Sequence, residues 1–305
     1  MEKSFSERVF GMIFLVDKPA GMTSHSVVAK IKYALKNYEK DPKVGHSGTL
    51  DPMCTGLLPV FTGKDTKLIS ILPHGKKYRA GLLLGTETDT EDVTGTTLCE
   101  RKVTVSAEEV FAAAKSFVGK YMQTPPMYSA IKKNGTKLYE LARRGVEVER
   151  EAREITIYSL DIFPSEKQNE YFLDVSCSAG TYIRTLCSDI GKKLGCGACM
   201  SSLRRTFSNG FSVENAKSLD ETVEKINSGS SSEISFSAED VFDVAKTVVP
   251  DDGLKYYLNG GEISLKRTDT PFADGLLRVY SRDGKFCGIG KTENGCVKAV
   301  VNYID

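Results

Sequence analysis

The chain has 305 residues, enough to bury a full core as one large domain or as a large domain with a small companion. At 40% hydrophobic and 27% charged its composition is that of an ordinary globular protein, which argues against disorder, and no apolar run approaches the ~20 residues of a membrane-crossing helix. A formal net charge of +1 neither demands nor excludes a nucleic-acid partner, because phosphate binding depends on where positive charge collects.

The opening residues Met1 to Arg8 lack the basic-then-apolar order of a secretory signal, so a cytoplasmic protein with no membrane partner is expected. Thr23 and Ser24 precede Val27, Val28, Ile31 and Leu35 at helical spacing, which predicts a capped amphipathic helix with Lys30, Lys32 and Lys36 on its polar face. Tyr78 to Leu84 is an apolar-rich run closed by Gly85 and reads as a strand. Ser106 and Glu109 have the spacing of a capping box, and Val110, Ala113, Ala114 and Phe117 continue a helix that Gly119 should stop. From Ile131 to Arg153 seven positive residues (Lys132, Lys133, Lys137, Arg143, Arg144, Arg150, Arg153) face four glutamates, a local basic excess. Glu170 to Cys177 alternates Tyr171, Leu173, Val175 and Cys177 with more polar residues, as a strand does. Ile183, Leu186, Ile190 and Leu194 then recur at helical spacing up to Gly195.

Helices and strands therefore intermix, which predicts an α+β enzyme fold. The serine-rich stretch Asn227 to Ser237 reads as a surface connection, and a domain boundary is expected near residue 245. Beyond it, Leu276–Tyr280, Phe286–Ile289 and Val297–Tyr303 are strand candidates joined across Asp283-Gly284 and Asn294-Gly295, which are hairpin signals. The eight cysteines are scattered over a chain that needs no staples, so reduced thiols are expected, and Cys196 and Cys199 form a half-site with no second pair. His25, His46 and His74 share no ligand spacing, so no metal is expected.

The densest chemical information lies in Lys43-Val44-Gly45-His46-Ser47-Gly48-Thr49-Leu50-Asp51-Pro52 and Thr55-Gly56-Leu57-Leu58-Pro59. Glycines permit tight turns and close approach of a ligand, and Pro52 fixes the φ angle beside Asp51, so one carboxylate is held rigidly at a cleft wall. A lone Asp-Pro elsewhere would read as a turn cap. The run Gly85 to Thr90 lacks the Gly-x-x-x-x-Gly-Lys pattern of a phosphate loop and implies no nucleotide site.

Together with Asp17-Lys18-Pro19, Gly21-Met22-Thr23-Ser24 and Gly63-Lys64-Asp65-Thr66-Lys67, this core resembles the bacterial transfer RNA pseudouridine-55 synthases, the TruB family. The resemblance continues through Lys77-Tyr78-Arg79, Gly85-Thr86-Glu87-Thr88-Asp89-Thr90, Pro125-Pro126-Met127-Tyr128-Ser129-Ala130, Gly180-Thr181-Tyr182-Ile183-Arg184 and Leu203-Arg204-Arg205, and covers roughly the first 220 residues. It implies a catalytic domain over 1–245 with a central mixed or antiparallel sheet flanked by helices, an RNA-gripping insertion at 123–153, and a small β-rich, PUA-like module over 246–305. It implies isomerisation of uridine-55 in the T-loop of transfer RNA, with Asp51 as nucleophile, Tyr78 stacking on the base and able to move a proton, and Arg184 holding Asp51 ionised. Tyr182 and Leu203 match positions lining the uracil pocket, and His46 matches an RNA contact beside the flipped base. No cofactor is implied, no protein partner is needed, and a monomer is the default.

Three departures accompany the match. Ser47 stands where bacterial members often have threonine, Ala179 stands where some have lysine, and the C-terminal module matches only in size and strand pattern. The residues do not distinguish attack at the ribose C1′ from attack at the ring C6. A guide-RNA-dependent synthase and a non-catalytic RNA-binding module are the other two readings, which partner-free turnover and Asp51 substitution separate.

Overall fold

The computed structural model describes residues 11–304 other than Asn134 and Phe272; residues 1–10, on which the expectation of a protein without a secretory signal rests, lie outside it. The main sheet has at its centre the strands β1 (Ile13–Lys18), β2 (Thr55–Thr62), β3 (Lys76–Leu84), β4 (Gly119–Gln123), β5 (Arg153–Pro164), β6 (Glu170–Cys177) and β7 (Ala198–Ser208). Their order across the sheet is β1-β2-β7-β3-β6-β5-β4. All neighbours are antiparallel except β2 and β7, which run parallel where Arg205 lies opposite Gly56. This is a mixed, mainly antiparallel sheet in an α+β fold, as the order of elements predicts.

Period-two alternation decides which core each side chain joins. Phe14, Val16, Leu58 and Val60 pack against α1 (Ser24–Leu35) through Val27, Ile31 and Leu35. Their neighbours Ile13, Leu15, Leu57 and Phe61 pack instead with Leu68, Leu72 and, from the far end of the chain, Ile289 and Val301. A third cluster joins β3, β6 and β7 to α2 (Ala107–Lys115) and α3 (Ile183–Leu194). Among the described residues no helix is long and apolar enough to cross a membrane.

Local signals explain the helix ends. Thr23 accepts from the Ser26 amide at 2.9 Å and starts α1, and Gly195 ends α3 in the left-handed region at φ 75°. At α2 both halves of the capping box form, with the Glu109 amide donating to Ser106 Oγ and the Ser106 amide donating to Glu109 Oε2. The helix stops before Gly119, at Lys115, because Phe117 turns inward to meet the Tyr121 ring edge-on at 5.2 Å; Gly119, with φ 107°, opens β4 instead.

The serine-rich stretch is more than a surface connection. Ser231 is buried, and Ser235–Phe236 pair antiparallel with Phe14 and Ile13, so Phe236 completes an apolar edge of the main sheet. A second, five-stranded sheet follows in the order Lys246–Val248, Leu276–Tyr280, Phe286–Glu293, Cys296–Asn302, Ile263–Ser264. Asn294 and Gly295 both have positive φ, 51° and 73°, which is the requirement of a type I′ hairpin.

Replacing Ser106 by Ala removes the cap of α2 and is expected to lower stability by about 1 kcal/mol; urea denaturation followed by circular dichroism checks this.

Candidate active site

The loop from Ser47 to Cys54 joins the short strand Val44–His46 to β2, and its backbone is anchored along its length. Ser24 Oγ, in the first turn of α1, donates to the Leu50 carbonyl at 3.1 Å and accepts from the Leu50 amide at 2.8 Å. Lys18 is fully buried, and its Nζ donates to the carbonyls of Met22 at 2.6 Å, Pro19 at 2.8 Å and Pro52 at 3.2 Å. Arg205, also fully buried, donates from Nε to the Leu57 carbonyl at 2.7 Å and from Nη2 to the Gly48 carbonyl at 3.0 Å. The Cys54 amide closes the turn on the Asp51 carbonyl at 3.0 Å. Asp51 thus sits on a segment whose flanking carbonyls are held by two buried cations.

The side chain of Asp51, 38% exposed, faces Arg184 Nε at 3.0 Å. Arg184 is buried at the start of α3 rather than exposed on the helix. Its Nη1 donates to the Thr90 carbonyl at 2.9 Å and lies 3.7 Å from Asp92 Oδ2, while Nη2 donates to the Tyr128 carbonyl at 2.8 Å. Asp92 is itself fixed by the Thr94 amide and the Thr90 hydroxyl, both at 2.9 Å. Burial holds the Asp51 carboxyl above its ordinary value; Arg184 opposes this and Asp92 adds to it.

Tyr78 and Leu203 lie in the same buried cluster as Leu50, Cys54 and Ile183, which brings an aromatic ring and an aliphatic wall next to the acid-bearing loop. Burial pushes the Tyr78 hydroxyl up to about 12, against the pull of Arg205, so the phenol is neutral at physiological pH. Tyr182 precedes α3, and Gln123 clasps its backbone, accepting from the Tyr182 amide at 2.8 Å and donating to its carbonyl at 3.0 Å. His46 Nδ1 accepts from the Gly48 amide at 3.2 Å, and burial, with Arg205 nearby, lowers its pKa and keeps the ring neutral. Asp51 and Arg184 are in direct contact, Tyr78 and Leu203 pack beside them, and His46 stands on the far shoulder of the loop.

Lys18, Asp92, Gln123 and Arg205 are the members of this arrangement that the residue-by-residue reading does not single out. A signal for Arg205 exists: on a strand, Arg204 and Arg205 must point to opposite faces. Arg204 forms a two-point pair with Asp17 at 3.0 and 2.7 Å, while Arg205 goes inside.

The basic insertion carries a hairpin, Lys132–Lys133 with Thr136–Lys137, followed by a short helix at Leu138–Arg143. Lys132, Lys133, Arg143 and Arg144 are exposed, and Lys137 and Arg143 flank the Tyr139 ring at 5.5 Å each. Cys196 and Cys199 are buried free thiols.

A fixed carboxylate opposed by one buried arginine, walled by aromatic and aliphatic side chains on a mixed sheet, is the site of an enzyme working by nucleophilic or acid–base chemistry. Three family models match in succession: the TruB family pseudouridylate synthase N-terminal domain over residues 35–183, the tRNA pseudouridylate synthase B C-terminal domain over 184–233, and the pseudouridine synthase II TruB C-terminal domain over 245–300. The chain is 40% identical to tRNA pseudouridine synthase B of Clostridium kluyveri, covering 96% of this chain and 99% of that one, and 44% identical to the protein of the same name from Clostridium tetani, covering 92% and 95%. Among solved structures it is similar to a Cbf5-Nop10-Gar1 complex, with 26% identity and a TM-score of 0.74 over 99% of this chain and 88% of that chain. The chain belongs to the TruB family of pseudouridine synthases.

Because Arg184 is the main group opposing the burial of Asp51, with Lys18 adding less, Arg184→Gln is expected to move the acid limb of activity to higher pH and to lower the rate at neutral pH by about 10²-fold or more. A single-turnover pH–rate profile, expressed as pseudouridine formed, checks both.

Proposed function

We propose that this chain isomerises uridine-55 in the T-loop of transfer RNA to pseudouridine, with Asp51 as the nucleophile and no cofactor. The contact of Asp51 with Arg184, inside the glycine-bracketed loop, is the observation that carries the reading. Isomerisation breaks the bond from the uracil N1 to the ribose, turns the base and rejoins it through C5. It needs neither a redox partner nor a phosphate donor, and a positioned carboxylate splits this one hard step into easier ones. The Arg184 guanidinium favours the carboxylate form of Asp51 and offsets part of the cost of its burial.

The uridine of a folded loop is out of reach until it is flipped from its stack. Tyr78 supplies the stacking face, Tyr182 and Leu203 line the base, and His46, neutral and mounted on the loop, contacts the RNA that the base has left. Proton transfer during the rearrangement falls to the neutral Tyr78 phenol, which both donates and accepts. Residues 1–245 form the catalytic domain in this reading, and 246–305 form an appended module that extends the RNA contact.

The unpaired cations of the insertion at 123–153 support an RNA grip. Its one ion pair among the described residues is Arg150 with Glu147 at 3.4 Å, which leaves Lys132, Lys137, Arg143 and Arg144 available to phosphates. The stand-alone reading is favoured over guide-RNA dependence, because relatives matched over nearly the whole chain at 40–44% identity are named tRNA pseudouridine synthase B, whereas the match to the Cbf5 complex is at 26%. The protein then acts as a monomer on transfer RNA without a protein partner.

Purified protein incubated with unmodified transfer RNA in EDTA, with pseudouridine mapped by carbodiimide treatment and primer extension, is expected to modify the single T-loop position. Asp51→Ala is expected to lose more than about 10³ of the rate. Full activity in Asp51→Ala would remove the proposed mechanism.

A further inference from the structure

Four cations surround the acid-bearing loop, and three of them are saturated by the protein. The Lys18 ammonium spends its three donors on the carbonyls of Pro19, Met22 and Pro52. Arg184 is shared between Asp51, Asp92 and two carbonyls. Arg205 is enclosed by the carbonyls of Leu57, Gly48 and Thr49. Lys76 differs: it is half-buried, burial lowers its pKa and neighbouring Arg205 lowers it further, yet among the described residues it makes no ion pair or hydrogen bond through Nζ. Desolvating a cation without giving it a partner costs free energy, and a folded chain keeps such a group where a ligand supplies the missing charge.

Its position says which ligand. Lys76 opens β3 two residues before Tyr78, so the period of two places both side chains on one face of the strand. A Cβ added at Gly48 would stand 3.2 Å from Lys76 Nζ and 3.5 Å from Arg205 Nη1, so the ammonium lies against the one residue of the loop that has no side chain to cover it. The His46 ring, whose Nδ1 is held by the Gly48 amide, borders the same spot. A half-open cation with three free donors, between the ring that stacks on the base and the ring that contacts the RNA, fits a singly charged oxyanion on the sugar–phosphate backbone.

We propose that Lys76 binds the phosphodiester next to the flipped uridine and thereby sets the depth to which that nucleotide enters the site. This inference rests on the function proposed above, since it presumes an RNA substrate with Tyr78 against the base. Phosphate contacts act on binding and register more than on bond making, so the effect belongs in KM and in salt dependence.

The test measures the affinity of a T-arm stem-loop RNA against salt concentration for wild type, Lys76→Met and Lys76→Arg, with unsubstituted RNA and with a neutral methylphosphonate at either phosphate flanking the target uridine. One lost phosphate contact lowers the slope of log affinity against log salt by about 0.7 to 1. Lys76→Met is expected to show that drop with about a tenfold weaker KM, and Lys76→Arg to restore the slope. A methylphosphonate at one of the two positions is expected to reproduce the drop in wild type and to add nothing in Lys76→Met. An unchanged slope in Lys76→Met, or methylphosphonate losses that add in full at both positions, overturns the contact. If Lys76→Met does not fold, the methylphosphonate series on wild type decides: no drop at either position overturns it. Wild type that binds but forms no pseudouridine refutes the function itself, a different result from a lost slope.

Discussion

The buried guanidinium of Arg184 is the interaction on which the site depends. It joins the Asp51 loop, the Thr90–Asp92 turn, the carbonyl of Tyr128 in the insertion, and the first turn of α3. A buried charge is expensive unless every donor is met, and here two carboxylates and two carbonyls meet a fork of donors. Lysine carries three donors on one atom and cannot span these four directions. Burial first, and then Asp92 sharing the same cation, keep the Asp51 carboxyl above its ordinary value rather than below it, so its anionic form is not over-stabilised. A nucleophile gains from that balance, because an anion held too tightly attacks poorly.

Beneath the loop, positive charge is used differently. Lys18 and Arg205 are both fully buried and bind carbonyls, so they hold the backbone without cancelling their own charge. Gly56 makes the Arg205 clamp possible. It has φ 100°, and a Cβ there would lie 2.3 Å from the Arg205 carbonyl oxygen, so only glycine lets β2 and β7 approach in parallel at that point. The loop is therefore stiff and its floor is electropositive, which suits a site that receives a polyanion and must hold one carboxylate still.

Much of this was legible in the residues. Glycines around Asp51-Pro52, the capping box at Ser106 and Glu109, the alternation of Glu170 to Cys177 and the Asn294-Gly295 hairpin act through local geometry, and each forms as its spacing implies. The surroundings of Arg184 were not legible, because its carbonyl partners lie 94 and 56 residues away and a carbonyl carries no sequence signature. The same holds for Lys18, whose acceptors are three main-chain oxygens. Gly119 misled for a different reason: tertiary packing of Phe117 on Tyr121 ended the helix earlier than its propensity would. Ser235–Phe236 joined the sheet because one aromatic residue outweighs the polarity of its neighbours.

The second sheet is tied to the same framework. Ile289 and Val301 pack against Ile13, Leu15, Leu57 and Phe61, one face of β1 and of β2, the strand that leads out of the acid-bearing loop. Tyr303 also donates to Asp65, a fully buried carboxyl whose pKa burial pushes from 3.8 up to about 7. Between those values the folded chain keeps a proton that the unfolded chain has released, so the burial of Asp65 costs stability as pH rises through the window, and the Tyr303 hydroxyl, which favours the charged form, offsets part of that cost. The apolar faces, which do not titrate, hold the attachment across this range of pH. Residues remote from the chemistry thus buttress β1 and β2, and shortening the chain at residue 245 would uncover apolar surface directly behind the strands that position Asp51.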